Sequence, residues 1–302
     1  MQKLPLRIAF ILSLSILGAW IGGIIWLSIF PENPPRDLTD NDGKISIVST
    51  IYPWAWAASN LDPLAEITTI VGPGLEPHDF SPTIDDVKNI HDAELLIVNG
   101  GVDAWISNSA LERNFPTIDV LTMLQYPESD PHVWLDPVMM MKIVEEIGHQ
   151  LEQIDPTRSQ IIYDNVQKKL AILENLDREY REGLANCAIP EIVSAHDAFS
   201  FLSKRYNFTV HGIAGFSPED EPSPAKLVEL TDLIRSHRIT TVFFEELTSP
   251  ALAKTLSDET GAKSDVLDAI ESLSSEESER LEYPGIMEKN LVKLKTAMVC
   301  TP

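Results

Sequence analysis

The chain has 302 residues, of which 46 are acidic and 23 basic, giving a formal net charge of −23. With 44% hydrophobic residues it is globular in composition and long enough for about two domains. So acidic a chain argues against nucleic acid as a partner, because binding phosphate requires a basic surface.

Lys3 and Arg7 precede an uncharged stretch from Ile8 to Phe30, long enough to span a bilayer. Basic residues on its N-terminal side place the N-terminus inside and the remainder outside the cytoplasm. No Cys follows the stretch and no Ala-x-Ala site stands out, so an uncleaved anchor is the favoured reading over a cleaved signal peptide. Residues 1–30 are thus read as the membrane segment and 31–44, Pro-rich and polar, as a tether. The only cysteines, Cys187 and Cys300, would form one disulfide in an oxidising compartment. Two free buried thiols are the alternative.

Beyond the tether, strand and helix signals alternate. Ile45–Ile51, Glu66–Val71 and Leu95–Val98 read as strands, with a helix over Ile84–His91. Asp136-Pro137 offers an N-cap and a first-turn proline for a helix over Met139–Ile154, and Asp155-Pro156 repeats the device. Ile162, Val166, Leu170, Leu173, Leu176, Tyr180 and Leu184 then recur at spacings of three and four. That pattern predicts one long helix over Pro156–Gly183, about 42 Å at 1.5 Å per residue, acting as a spacer. Strands follow at Glu191–Ser194, Phe208–Ile213, Thr240–Phe244 and Asp265–Leu267. Helices are expected over Ala198–Tyr206, Lys226–Ser236, Ala251–Thr260 and Ile286–Val299. The alternation argues for α/β architecture with parallel sheets. The expected division is an N-terminal lobe over 45–155, a linking helix over 156–184 and a C-terminal lobe over 185–302.

Seven histidines are present. His149 and His237 fall on predicted helices, His91 at a helix end and His211 in or beside a strand. His78, His132 and His196 each sit at a strand-to-helix junction or just before a helix, and in α/β sheets ligands bind beyond the carboxyl ends of strands. Neutral imidazole is a good ligand for divalent transition metals. The long separations between these three leave a metal role and an ordinary structural role equally open. Asp79, Asp136 and Asp197 flank the histidines and fit either imidazole-orienting or helix-capping roles. Trp54, Trp105 and Trp134 are expected in the core or the cleft wall.

The ordered set EPHDFSPT (76–83), DPHVWLDP (130–137), SAHDAFSFLSKRY (194–206) and GFSPEDEPSP (215–224) resembles the zinc/manganese-type, or cluster A-I, substrate-binding proteins of bacterial metal ABC importers. The similarity runs from about Ile45 to Cys300. It implies two Rossmann-like lobes joined by a long rigid helix, with one metal ion in the interlobe cleft. It further implies His78, His132 and His196 as ligands. The fourth, a carboxylate, matches Asp268 in Val266-Leu267-Asp268-Ala269-Ile270, with Glu245 and Glu246 as rival donors. Three imidazoles and one carboxylate suit Zn²⁺, whereas Mn²⁺ prefers more oxygen. Family members favouring manganese tend to carry Glu at the third position, where this chain has His196. Two departures stand out. Leu121–Asp130 is short and has no His, where many zinc members carry a long His-rich loop, and the N-terminus lacks the lipid-bearing Cys that many members use as an anchor.

The resemblance implies a monomeric binding protein that captures Zn²⁺ outside the cytoplasm and delivers it to an ABC permease, with Mn²⁺ as the alternative cargo. The competing class is a mononuclear zinc hydrolase. That would keep three protein ligands and one open position, with Asp268 as a base. No HExxH, G-x-S-x-G or P-loop motif supports it. An adhesin or metallochaperone would differ in partner rather than in chemistry.

Overall fold

The computed structural model describes residues 43–103, 105–106, 116–126, 130–218, 220–245, 249–273 and 282–301. The expected anchor, most of the expected tether and Glu246 lie outside these residues. No helix among the described residues is long and apolar enough to cross a membrane.

Two four-stranded, wholly parallel sheets form the fold. The first takes β1 (Ser46–Ser49), β2 (Glu66–Thr69), β3 (Leu95–Val98) and β4 (Thr117–Asp119) in the order β2-β1-β3-β4. Ile47 of β1 lies opposite Ile67 on one side and Leu95 on the other. All four residues of β3, Leu-Leu-Ile-Val, are buried, as expected of a central parallel strand covered on both faces. Helices α1 (Tyr52–Ala58) and α2 (Ile84–Asp92) link β1 to β2 and β2 to β3, and α3 (Val120–Leu124) follows β4. Thr83 and Asp86 close a reciprocal capping box at the start of α2.

Helix α4 (Pro137–Ile154) begins as the sequence predicts, with Pro137 in its first turn and Asp136 Oδ1 accepting from the Val138 amide at 2.9 Å. The long helix departs from expectation at its start. Pro156–Arg158 forms a separate 3₁₀ turn, and α5 runs over Ser159–Gly183, 25 residues or about 38 Å. Asp155 takes the Thr157 amide and hydroxyl and pairs with Arg158, so the first turn is spent on this side-chain network.

The second sheet takes β5 (Glu191–Ser194), β6 (Thr209–Gly212), β7 (Thr241–Phe244) and β8 (Lys263–Val266) in the order β6-β5-β7-β8. Helices α6 (Ser200–Tyr206), α7 (Pro224–His237) and α8 (Ala251–Thr260) connect these strands, and α9 (Tyr283–Ala297) follows β8. Cys187 and Cys300 form a disulfide that pins the last residues to the segment leading into β5.

One apolar core spans both lobes and the long helix, drawing on Ile47, Trp54, Trp134, Leu173, Tyr180, Phe199 and Tyr283. Trp56 of α1 stacks on Tyr283 of α9, ring centroids 4.7 Å apart. Lys169 of α5 packs its ammonium 3.9 Å from the centre of the Trp56 ring and donates to the Trp56 carbonyl at 2.8 Å. Burial lowers the Lys169 pKa to about 8, against a smaller opposing pull from Glu282. The folded pKa therefore lies below the unfolded one near 10.4. The unfolded chain holds the extra proton in that window, so the residue's contribution to stability improves as pH rises from about 8 to above 10. We predict that wild type gains on Lys169→Met by about 2 kcal/mol over that range. Denaturant midpoints of the two proteins measured side by side across it check this; a difference independent of pH would refute the assignment.

Candidate metal centre

Four side chains converge between the lobes. His78, His132, His196 and Glu271 each present one donor atom, and all four atoms lie within 4.8 Å of one another. Among the described residues this is the group with that geometry.

Local structure aims each one. His78 lies in the 3₁₀ turn Pro77–Asp79 after β2, where the Glu76 carboxylate accepts its amide at 3.1 Å. His132 precedes the 3₁₀ turn Val133–Leu135, and its amide donates to Asp130 Oδ1 at 3.2 Å. His196 follows β5 beyond its carboxyl end. Its carbonyl accepts from Ser194 Oγ at 2.7 Å, and the Asp197 amide donates to the Gly215 carbonyl. Glu271 comes from the loop after β8. There Ile270 is held in the left-handed region at φ 57°, costly for a β-branched residue. Asp268 Oδ1 accepts the Ile270 amide at 2.7 Å, and Asn290 brackets the Asp268 backbone with two hydrogen bonds.

That arrangement corrects the expectation for Asp268. Its carboxylate shapes the turn, and the carboxylate beside the imidazoles belongs to Glu271, three residues on. Glu245, expected as a rival donor, lies behind His196, with its Oε1 2.5 Å from Nδ1. Asp130 occupies the same place behind His132, 3.1 Å from Nδ1. Of the flanking aspartates, Asp136 caps α4 and pairs with Arg205, and Asp197 accepts from Ser200 Oγ at 2.9 Å. Neither is hydrogen-bonded to an imidazole in the structure. Trp54 and Trp134 are fully buried, with Trp134 5.2 Å from the His132 ring; Trp105 meets Phe80 at a tilt, ring centroids 5.3 Å apart.

The separations carry chemical information. His132 Nε2 lies 3.1 Å from His196 Nε2, and Glu271 Oε1 lies 3.1, 3.3 and 3.4 Å from the Nε2 atoms of His132, His196 and His78. Two ligand atoms about 2.0–2.1 Å from a tetrahedral zinc ion sit about 3.3–3.4 Å apart. Four of the six donor separations thus come close to the edge of a zinc coordination tetrahedron, and the other two lie within 4.8 Å. His78 Nε2 is buried without a hydrogen-bond partner, as a nitrogen reserved for an ion would be.

Electrostatics point the same way. Burial would raise the Glu271 carboxyl, but the imidazoles of His132, His196 and His78 beside it hold it well below the usual carboxylate range. Burial would lower His132 and His196. Asp130 and Glu271 raise the first, and Glu245 and Glu271 the second. Glu76 is pushed up to about 8 by its own burial and the nearby Glu271 charge. The pocket is thus rich in negative charge, compensated by protons on imidazole that a divalent cation would displace.

Hydrogen bonds between the lobes close over the site. Trp134 Nε1 donates to the Ala269 carbonyl at 2.7 Å and Tyr283 Oη to the Trp134 carbonyl at 2.6 Å. Gly74 donates its amide to the Leu273 carbonyl at 2.8 Å. His132 and His196 are fully buried, and the His78 side chain is 10% exposed.

Comparison with known proteins follows the same line. The profile of a family described as zinc-uptake complex component A, periplasmic, matches residues 47–297. The zinc-binding lipoprotein AdcA of Streptococcus pneumoniae R6 is 35% identical over 279 residues, covering 84% of this chain and 56% of the relative. The chain thus spans about half the length of that relative. The high-affinity zinc uptake system protein ZnuA of Bacillus subtilis 168 is 31% identical over 281 residues, covering 85% and 88%. Among solved structures, the Zn(II)-bound ZnuA-like domain of S. pneumoniae AdcA superposes with a TM-score of 0.74 at 34% identity, covering 85% of this chain and 99% of that domain. The laminin-binding protein Lmb of Streptococcus agalactiae, described as having adhesin and metal-transporting activity, gives 0.75 at 26% identity, covering 85% and 99%.

The geometry separates the two carboxylates by experiment. Glu271→Gln is expected to weaken Zn²⁺ binding at least tenfold, and Glu245→Gln, which loosens the His196 ring, by about 10- to 100-fold. Asp268→Asn keeps the oxygen that caps Ile270 and is expected to bind nearly as wild type. Chelator competition on the three variants measures this; a larger loss for Asp268→Asn than for Glu271→Gln would restore Asp268 as the ligand.

Proposed function

The chain belongs to the periplasmic zinc-uptake complex component A family, and from that premise we propose that it is the zinc-binding component of an ABC importer. In this reading it captures Zn²⁺ outside the cytoplasm and hands it to a permease. Ile8–Phe30 tethers it to the membrane, and residues 31–44 give it reach. Residues 45–155 and 185–302 are the two lobes, 156–184 the strut, and the protein acts as a monomer. The family consists of transport components, not enzymes.

The observation that carries the reading is the convergence of three imidazoles and one carboxylate, their donor atoms all within 4.8 Å of one another and buried from solvent. His78, His132, His196 and Glu271 fill four coordination positions with protein atoms. A catalytic zinc keeps one position for water, so this set favours holding an ion over hydrolysis. Asp130 and Glu245 engage Nδ1 of His132 and His196, so that each ring presents Nε2 to the centre of the site. Three nitrogens and one oxygen suit Zn²⁺ better than Mn²⁺.

Release requires the donors to part. His78 and His132 come from the first lobe and His196 and Glu271 from the second, so a small separation of lobes splits the ligand set two and two. The interlobe bonds to Ala269 and Leu273 lie in the loop that carries Glu271. Opening there would withdraw the carboxylate first, leaving imidazoles that protons compete for.

Competitive titration of the metal-free protein against a strong chelator tests the reading. One equivalent of Zn²⁺, held far more tightly than Mn²⁺, is the expected result. Equal or tighter Mn²⁺ binding would replace zinc with manganese as cargo.

A further inference from the structure

Two of the histidine segments run on into residues that meet each other across the lobes. His132 is followed four residues later by Asp136, and His196 nine residues later by Arg205. Asp136 opens α4 in the first lobe, and Arg205 lies in the last turn of α6 in the second. Arg205 Nε donates to Asp136 Oδ1 at 3.0 Å and to Oδ2 at 2.9 Å, and Nη2 donates to Oδ2 at 2.7 Å. Each partner is braced. The Asp136 side chain is 3% exposed, and its Oδ1 also accepts the Val138 amide at the start of α4. Next to Arg205, the Tyr206 hydroxyl donates to Asp177 of α5 at 3.1 Å, which fixes the end of α6 to the long helix. A forked guanidinium on a buried, capped carboxylate is a directional and strong contact. Tyr126 of the first lobe meets Phe201 of α6 edge-on nearby, ring centroids 5.1 Å apart.

We propose, on the zinc-capturing reading, that Asp136 and Arg205 are a positioning pair for the metal: they clamp the His132 segment to the His196 segment and so hold the two imidazoles at ligand spacing. The Nε2 atoms of those rings lie 3.1 Å apart, one from each lobe. The links from clamp to ring are short and stiff. The 3₁₀ turn Val133–Leu135 joins His132 to Asp136, with the Leu135 amide on the His132 carbonyl and the Asp136 amide on the Val133 carbonyl. On the other side, Ser200 Oγ donates to Asp197 and the Ser203 amide to the Phe199 carbonyl, which tie the chain after His196 into α6. The clamp therefore keeps an imidazole pair together while the loop carrying Glu271 withdraws. Breaking it removes that remaining hold, so zinc leaves sooner. Capture is governed by encounter and changes little.

The variants separate the clamp from simple loss of stability. Arg205→Met strands a buried carboxylate, which by itself destabilises the fold. Asp136→Asn removes the charge but keeps the oxygen that caps α4, and the double variant strands nothing. Zinc association with the full chain, and release into excess chelator, are followed by stopped flow. Each single variant is expected to release at least about fivefold faster than wild type, with association within about twofold. The double variant is expected to release no faster than the faster single, because one clamp breaks only once. The same four proteins, metal-free, are spin-labelled at Lys142→Cys on α4 and Glu229→Cys on α7, and the three variants are expected to show a broader distance distribution. Release at the wild-type rate in both single variants, or losses that multiply in the double variant, would overturn the proposal. A wild type that holds no zinc would overturn the zinc reading instead. The label distances would then decide the clamp alone, and distributions matching wild type would overturn it.

Discussion

The structure depends on keeping an ionised carboxylate out of water. Glu271 lies almost wholly buried between two lobes, and an isolated charge there would be prohibitive. Three imidazole nitrogens within 3.4 Å make it tolerable. Two of the three rings, His132 and His196, are held in place by further carboxylates, Asp130 and Glu245. Without a metal, protons must balance this excess of negative charge. A divalent cation does the same task with one particle at the centre. The arrangement is costly for a protein that merely has to fold, and it makes sense for one that must seize an ion and later give it up.

The scaffold delivers the four donors by ordinary means. His78 and His196 follow the carboxyl ends of parallel strands, where α/β sheets expose their loops. His132 sits at the entrance to α4, fixed through Asp130. Glu271 demands more: a buried isoleucine in a left-handed conformation, stabilised by an aspartate turn and an asparagine clamp. Strain of that kind persists only where surrounding structure overdetermines it. Meanwhile α5, Trp56 and Tyr283 tie the lobes together on a side of the molecule held by apolar packing. Polar contacts across the cleft, among them Trp134 to Ala269, Gly74 to Leu273 and Arg205 to Asp136, are directional and suit a joint that opens.

Much of this was legible in the sequence. Apolar β-branched runs marked most of the strands, the Asp-Pro pairs marked where α4 and the turn before α5 begin, and the Pro-His and Ala-His junctions placed three histidines where sheets bind ligands. The short strand Thr117–Asp119 escaped, because three residues carry too little periodicity. Glu271 escaped for a different reason. Asp268 and Glu271 are both carboxylates in one loop beyond a strand, and spacing alone cannot say which turns inward. Only the left-handed Ile270 reverses the chain so that the later residue points at the histidines. Asp130 and Glu245 were invisible as orienting groups because each lies behind its imidazole by tertiary packing, although Asp130 is only two residues from His132.

The central claim is that Glu271, with His78, His132 and His196, surrounds the ion. Diffraction data from crystals grown with Zn²⁺, collected on both sides of the zinc absorption edge, test it most directly. The account predicts the strongest anomalous peak about 2.0–2.1 Å from three Nε2 atoms and one Glu271 oxygen, with no water in the coordination sphere. A peak ligated by Asp268, or one in which a water replaces the carboxylate, would contradict it.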